Sequence, residues 1–232
     1  MSVTTRVQHS DTSLAKALEN LRALHTNRPS VRLAADKDPR TGATIEKILN
    51  AAQVTFIEDG ASGLTLRQVA EMANIAVGNL TYHFPSKDSL IRATLEEYLS
   101  RFAREHLNTF YQEAESPLET VLMIVTFYVR DAHNSHGFFH QLWGYAASGD
   151  NERALVRESY NPIGLFILSL IGKANPALDY KQKRRIVLQL FSLAEGYRIF
   201  IGMGPDDDIA LANAETDIRN LARQLIMNPI KT

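Results

Sequence analysis

Apolar residues recur at intervals of three and four along most of the chain, and the alternating pattern of half-buried strands is scarce. A helix is predicted to begin at Ala43 and to end at Gly60 and Gly63. Further helices are predicted over residues 88–114, 118–134, 137–148, 151–174, 180–203 and 207–227. The predicted fold class is therefore all-α, with a small N-terminal head on a larger C-terminal helical bundle.

Two segments depart from this pattern. Residues 12–25 predict a short amphipathic helix, and residues 27–42 are polar, lack periodicity and read as a linker. Pro162 lies inside the predicted helix 151–174 and is expected to kink or split it. The chain then divides into an N-terminal extension (1–39), a head (40–92) and a larger domain (93–232).

The head contains local signals for two short helices joined by a tight turn. Thr65 and Gln68 have the spacing of a capping box, in which each side chain bonds the other residue's backbone N–H. Asn74 tolerates the left-handed conformation that would close the first helix. A second helix is predicted over 77–84, and Ser86 can cap a third. This layout is a helix-turn-helix.

The outer face of the second short helix is polar, which favours DNA as its partner. Asparagine can pair with adenine in the major groove, whereas threonine, tyrosine and histidine suit phosphate oxygens. A glycine lets the backbone approach the groove closely. The residues predicted to contact DNA are Arg40, Thr65, Arg67, Gly78, Asn79, Thr81, Tyr82, His83 and Lys87.

These residues lie within a longer ordered pattern that covers residues 45–90. The pattern consists of Phe-x-x-x-Gly at 56–60, Thr-x-x-x-x-Ala at 65–70, and the closing residues His83, Phe84, Lys87 and Leu90. In order and spacing it resembles the DNA-binding head of the TetR/AcrR family of transcriptional regulators.

Two positions depart from the family pattern. The turn reads Ala-Asn-Ile-Ala at 73–76, so the serine that usually caps the recognition helix is replaced by Ala76. A Ser-to-Ala change at such a cap costs about 1 kcal/mol. The tyrosine that usually precedes x-His-Phe is Thr81, with Tyr82 displaced by one, which leaves open which of the two contacts phosphate.

Composition and charge narrow the function. The net charge is −1, and residues 28–92 carry eight Lys/Arg against seven Asp/Glu, so DNA binding would depend on a few placed contacts. Cysteine is absent, and no nucleophile elbow, phosphate loop, metal triad or carboxylate pair is visible, so an enzyme and a cofactor are not expected. No apolar run approaches 18 residues and no secretory signal is visible, which predicts a cytoplasmic, nucleoid-associated protein without membrane contact.

Aromatic residues are concentrated in the larger domain between 133 and 166. His133, His136 and His140 have spacings that could hold a metal, but Gly137 interrupts the segment and no metal is predicted. The cluster is interpreted as a helical core that borders a cavity, where the family resemblance implies a small apolar or aromatic effector. The residues predicted to bind it are His133, Phe139, His140, Trp143, Tyr160 and Phe166.

The last two helices are predicted to form a dimer surface. The segment 182–200 is apolar nearly all round and so requires burial on more than one side. The resemblance implies that it pairs with its symmetry mate, and a C2 dimer predicts a palindromic operator. The residues predicted at this interface are Leu190, Leu193, Tyr197, Ile218, Leu221 and Leu225.

The resemblance thus implies a homodimeric repressor that an effector releases from its operator, with the third helix of the head joining the two domains. One alternative remains open. The chain could be an architectural or division-associated DNA-binding protein without an effector, in which the aromatic cluster is only core.

Overall fold

The computed structural model describes residues 38–102, 110, 114–205 and 209–229. Over these ranges the chain forms nine α-helices, one short 3-10 turn (Ile209–Leu211) and no strand, which confirms the all-α prediction. The helices are α1 Pro39–Gly63, α2 Leu66–Met72, α3 Val77–His83, α4 Lys87–Phe102, α5 Pro117–Arg130, α6 Ala132–Ala147, α7 Asp150–Ala174, α8 Tyr180–Met203 and α9 Ala214–Met227.

The first described helix begins earlier than predicted. Asp38 caps α1, because its Oδ1 accepts from the backbone N–H of Arg40 at 3.0 Å and its Oδ2 from the Thr41 hydroxyl at 2.9 Å. These bonds lower the pKa of the Asp38 carboxyl, with the Arg40 N–H as the main cause. Pro39 suits the first helical position because its φ is already helical. Residues 39–42, predicted to belong to the linker, are therefore helical, and the amphipathic helix predicted over 12–25 lies outside the described residues.

Two other helix predictions need correction, and a third is seen only in part. Pro162 does not split α7, which is continuous from Asp150 to Ala174 with the proline buried inside it. The segment 207–227 is not one helix, since the 3-10 turn is followed by a turn and α9 begins only at Ala214. The helix predicted over 88–114 is seen as α4 from Lys87 to Phe102, and most of its remainder lies outside the described residues.

The apolar side chains form two core clusters. One lies in the larger domain, where α5, α7, α8 and α9 meet around buried residues such as Leu122, Phe166, Leu190 and Ile218. The second begins in the head, around Ile48, Phe56 and Leu80, and continues into α6 and α7 through Phe138 and Leu155. The head and the larger domain predicted as separate units therefore share one continuous core.

Helix α9 is held against α5 by ion pairs as well as by its apolar face. Glu119 on α5 pairs with Arg219 and, at 3.1 Å, with Arg223, both on α9. At the other end of α5, Arg130 pairs with Glu215 at 2.6 Å. The pairs are partly exposed, so each adds little stability. Their effect is to fix the position of α9 along α5.

Helix α8 is long and apolar enough to cross a membrane by length and composition alone. This is weak evidence, because core helices pass the same test. Here one face of α8 is buried through Ile186, Leu190, Ala194 and Ile201. The opposite face is apolar too, and it is exposed.

Candidate nucleic-acid interface and the larger domain

The first helix of the head motif, α2, is held by its predicted cap. The Thr65 hydroxyl accepts from the Gln68 backbone N–H at 3.2 Å, and Leu64 and Val69 on either side are fully buried. The return bond of the capping box is not formed. The Gln68 side chain instead donates to Asp59 Oδ2 on α1 at 2.5 Å. One half of the predicted box is therefore correct, and the other half is replaced by a contact between helices.

The turn between α2 and α3 is closed by Asn74, which has φ 53° as predicted. Its neighbour Ile75 donates its backbone N–H to Ala70 O at 3.0 Å, which satisfies a carbonyl at the end of α2. Helix α3 then starts at Val77, and its capping residue, Ala76, makes no side-chain hydrogen bond. The missing serine cap is thus not replaced by another side chain at that position.

Helix α3 is fixed by two buried anchors and presents a polar outer face. Leu80 and Phe84 are buried in the head core. Gly78, Asn79 and Tyr82 are exposed, and the Tyr82 side chain is 83% exposed.

Thr81 and Tyr82 on α3 differ in whether their hydroxyl groups are available to a phosphate. The half-buried Thr81 donates its hydroxyl to Gly78 O at 3.2 Å, so it is used within the helix. Tyr82 stands free of the surface, with the His83 ring edge-on at 5.0 Å. Of the two candidates, Tyr82 is the one available to a phosphate.

Gly78 has no structural reason to be glycine in the described chain. A Cβ at this position would meet no atom within 4 Å, and the residue does not have a positive φ. Glycine inside a helix costs about 1 kcal/mol relative to alanine. Something outside the subunit that approaches the backbone closely would explain this cost.

The start of α4 is capped as predicted and tied to α1. Ser86 and Ser89 each accept the other's backbone N–H at 3.1 Å. Lys87 Nζ donates to Ser62 O at 3.0 Å, so this lysine bridges the end of α1 and the start of α4. The remaining predicted DNA contacts, Arg40, Thr65 and Arg67, are exposed.

Helix α6 also contacts the head directly, through close packing against α1. The main chain leaves the helical conformation at Gly60, with φ 68° and ψ 179°, and a Cβ there would lie 2.6 Å from Gln141 Oε1 on α6. One turn away, a Cβ on Gly137 would lie 3.2 Å from the Ile57 side chain. The ring of Phe138 lies 5.6 Å from that of Phe56 and stacks on Tyr98 of α4 at 3.5 Å. Helix α4 is therefore not the only connection between head and larger domain.

A buried polar network lies behind these rings, and sequence analysis missed it. Arg198 on α8 is 1% exposed, pairs with Glu195 at 2.8 Å and donates to Tyr128 O at 3.3 Å. Its guanidinium lies 3.8 Å from the centre of the Phe139 ring, and its Nε–H has no partner. The signal was present, since Arg198 continues the buried stripe of Leu190 and Ala194 at the next helical turn.

Two tyrosines complete the network. Tyr160 donates its hydroxyl to the second oxygen of Glu195 at 2.9 Å and accepts a bond from Trp143. Burial, and then the Glu195 carboxylate, raise the pKa of Tyr160 well above its ordinary value. Burial likewise raises the pKa of Tyr128. Both phenols therefore stay neutral at physiological pH.

The residues predicted to bind an effector lie in three places. Phe139, His140, Trp143 and Tyr160 come together around the Arg198 network, with the Trp143 ring 6.3 Å from that of Phe139 and 6.2 Å from that of His140. Phe166 is buried in the larger-domain core.

His133 lines a surface cavity of about 270 Å³ together with Ile201, Pro205 and Ile209. His136 and His140 face Gly202 of α8, and among the residues that the structure describes no three potential ligands are placed to hold a metal ion.

The residues predicted at a dimer interface differ in how far they are exposed. Leu190 and Ile218 are buried within the subunit, Leu193, Tyr197 and Leu225 are half-buried, and Leu221 is exposed. The outward apolar side chains of α8 are Leu188 (66% exposed), Phe200 (61%) and Met203 (61%). Between them lies Gly196, where a Cβ would also meet no atom within 4 Å. Periodicity could not tell these two faces apart, because both are apolar.

Comparison with known proteins supports the assignment of the head. Residues 48–94 match the sequence profile of the bacterial regulatory proteins of the tetR family. The HTH-type transcriptional regulator RutR of Escherichia coli is 37% identical over 70 residues, which are 30% of this chain and 33% of RutR. The nucleoid occlusion factor SlmA of Vibrio cholerae is 26% identical over 119 residues, or 51% of this chain and 59% of SlmA. The chain thus spans about a third of RutR and somewhat over half of SlmA.

The likeness in fold extends over the larger domain. The transcriptional regulator FadR of Bacillus subtilis, solved in complex with stearoyl-CoA, superposes with a TM-score of 0.63. The match covers 80% of this chain and 99% of that one, at 15% sequence identity. At this identity the likeness concerns the fold.

Proposed function

Because residues 48–94 match the profile of the tetR family, we propose that the chain is a TetR-family transcriptional repressor that binds a palindromic DNA operator as a homodimer and is released by a small effector. Regulators of this family are not enzymes as a class, and a DNA-binding regulator acts in the cytoplasm, where the chromosome lies. The observation that carries the proposal is the outer face of α3, where Gly78, Asn79 and Tyr82 are exposed on a helix anchored from behind by Leu80 and Phe84.

In this proposal α3 enters the major groove. Asn79 pairs with a base, Gly78 allows the backbone to come close, and Tyr82 donates to a phosphate. Arg40, Thr65, Arg67, His83 and Lys87 add contacts to the backbone. With so few cations, affinity depends on the fit of these groups more than on overall charge.

The dimer is proposed to form through the outward face of α8 and to include the exposed Leu221 of α9. Three large apolar side chains on one exposed helix face (Leu188, Phe200 and Met203) form a patch of the kind that marks protein interfaces. Gly196 at its centre would let two helices cross closely. This places the contact on the side of α8 opposite to Leu190, and the interface residues differ from the buried stripe.

The effector is proposed to bind beside the Arg198 network. Phe139, Trp143 and Tyr160 supply flat apolar surface, and the Arg198 Nε–H is a buried donor without a partner. An unpartnered buried donor costs about 1–3 kcal/mol, which an effector acceptor would recover. From here Phe139 leads through Tyr98 and Phe138 to Phe56 of α1, so a shift of α6 would move the head.

A second function is favoured by one comparison. The alignment with the nucleoid occlusion factor SlmA covers more of this chain than the alignment with RutR. A division-associated DNA-binding protein would need the same head and dimer and no effector. Ligand binding therefore separates the two functions.

The test is selection of DNA sequences by the full chain from a random library, followed by titration. A palindrome with half-sites about one helical turn apart is expected. Binding without sequence preference at every salt concentration would refute the repressor.

A thermal-shift screen of apolar and aromatic compounds then examines the effector. A stabilising compound should also release the selected operator. If no compound stabilises the protein while the palindrome binds, the division-associated function is supported.

A further inference from the structure

The first turn of α3 carries an apolar side chain that the head does not use. Val77 is the first residue of the helix, is 42% exposed and belongs to neither core cluster. Exposed single valines are common on protein surfaces, so exposure alone carries no meaning. The position of Val77 is informative, because the N-terminal residues of a recognition helix are the ones that reach base edges.

The other exposed apolar residue nearby, Met72, has a different situation. It ends α2 and accepts a weak hydrogen bond from the buried Thr55 hydroxyl at 3.8 Å, so it covers part of the head. Val77 has two exposed neighbours, Ala76 and Gly78, with little or no side chain. Its side chain is therefore not covered by the side chains of its two neighbours in sequence and is accessible from outside.

The chemistry of the major groove limits what such a side chain can read. Base edges offer hydrogen-bond donors and acceptors, and their one apolar group is the C5-methyl of thymine. Valine can make no hydrogen bond. It is also stiff in a helix, with one dominant rotamer, so little side-chain freedom is lost when it is immobilised.

Resting on the proposed function, we infer that Val77 is a specificity-determining residue that packs against a thymine methyl group in each half-site of the operator. Asn79 and Val77 would then read neighbouring bases from the same turn of α3, one by hydrogen bonds and the other by apolar contact. Gly78 between them keeps both close to the base edges.

The inference can be tested one methyl group at a time. Each thymine of the selected half-site is replaced by deoxyuridine, which removes only the C5-methyl and keeps the base pair. Wild-type protein is expected to lose about three- to tenfold in affinity at one thymine of the half-site. The Val77→Ala variant should bind the thymine and deoxyuridine operators equally well at that position.

The chain offers a matched control for this variant. Val54 on α1 is also 42% exposed, so Val54→Ala removes the same atoms elsewhere in the head and should keep the wild-type preference for thymine. Equal affinity of the deoxyuridine operator for wild type and Val77→Ala would show that the variant is folded and competent.

Two results would overturn the inference while the proposed function stands. One is a selected palindrome in which no thymine methyl affects affinity. The other is a Val77→Ala variant that still discriminates as the wild type does. Failure to select any sequence would instead refute the proposed function, and the inference with it.

Discussion

Helices α3 and α8 each carry a glycine on an exposed face, and the surroundings of the two glycines differ. Around Gly78 the outer face is polar, with Asn79 and Tyr82, whereas around Gly196 it is apolar, with Leu188 and Phe200. Neither glycine is required by packing within the subunit. In the proposed function each of these two glycines lies where a partner approaches, nucleic acid at Gly78 and a second apolar helix at Gly196.

The largest effect is expected from placing a charge on the exposed apolar face of α8. Leu188→Asp places a charge in the apolar patch of the proposed dimer contact and should weaken dimerisation about a hundredfold. Sedimentation at micromolar concentration should then show a monomer, and operator affinity should fall with it. Val54→Asp introduces the same charge at an exposed valine of α1 and should remain dimeric. A dimeric Leu188→Asp protein would place the interface elsewhere.

Gly60 differs from Gly78 and Gly196 because it is packed against a neighbouring helix, so its substitution should lower stability. Gly60→Ala forces a side chain into a backbone conformation that only glycine adopts readily and against Gln141, so it should lower the free energy of unfolding by about 2–3 kcal/mol. Urea denaturation measures this change. Adding Gln141→Ala relieves the contact but not the backbone strain and should restore only part of the stability. Full stability of Gly60→Ala would contradict the described geometry.

Substitution of Gly78 on α3 should raise the stability of the protein but lower its affinity for the operator. Gly78→Ala is expected to stabilise the head by up to about 1 kcal/mol, because alanine is the better helix former and the new Cβ meets nothing. Operator affinity should nevertheless fall about tenfold, since the methyl group separates the backbone from the groove.

Helix α6 provides the control. A Cβ on Gly144 also meets nothing, so Gly144→Ala should give the same gain in stability and normal DNA binding. If Gly78→Ala binds the operator as well as Gly144→Ala does, α3 does not approach DNA through this residue.

The smallest effect concerns a single cation beside α3. Lys87→Gln should weaken binding to all sequences alike and lower the slope of log affinity against log salt by about one, because one phosphate contact is lost. Titrations at several salt concentrations measure the slope. An unchanged slope would mean that Lys87 serves only to hold Ser62.

The head could be predicted in detail because its signals are local. The Thr65 cap, the left-handed Asn74 and the Ser86 cap each depend on residues within a few positions. The hydrogen bond from Gln68 to Asp59 could not be predicted, because it joins residues that are nine positions apart and lie on different helices.

In the larger domain the local pattern was ambiguous. Helix α8 is apolar on both sides, so its sequence predicts burial on more than one side and does not tell the buried face of Leu190 from the exposed face of Leu188. Arg198 shows the complementary difficulty. A charged residue on a buried stripe is visible in sequence, but its partners Phe139 and Tyr128 come from other helices.

The near-neutral charge of the head has a consequence for how the protein finds its site. Proteins that hold DNA through many cations slide along non-specific sequence before they reach a target. Residues 28–92, the head with the segment before it, carry eight basic and seven acidic residues. If the protein binds an operator as proposed, random sequence would hold it only weakly, and its search would proceed mainly by repeated collisions from solution. The time to occupy the operator would then be set by the number of protein copies in the cell and would depend little on the length of flanking DNA.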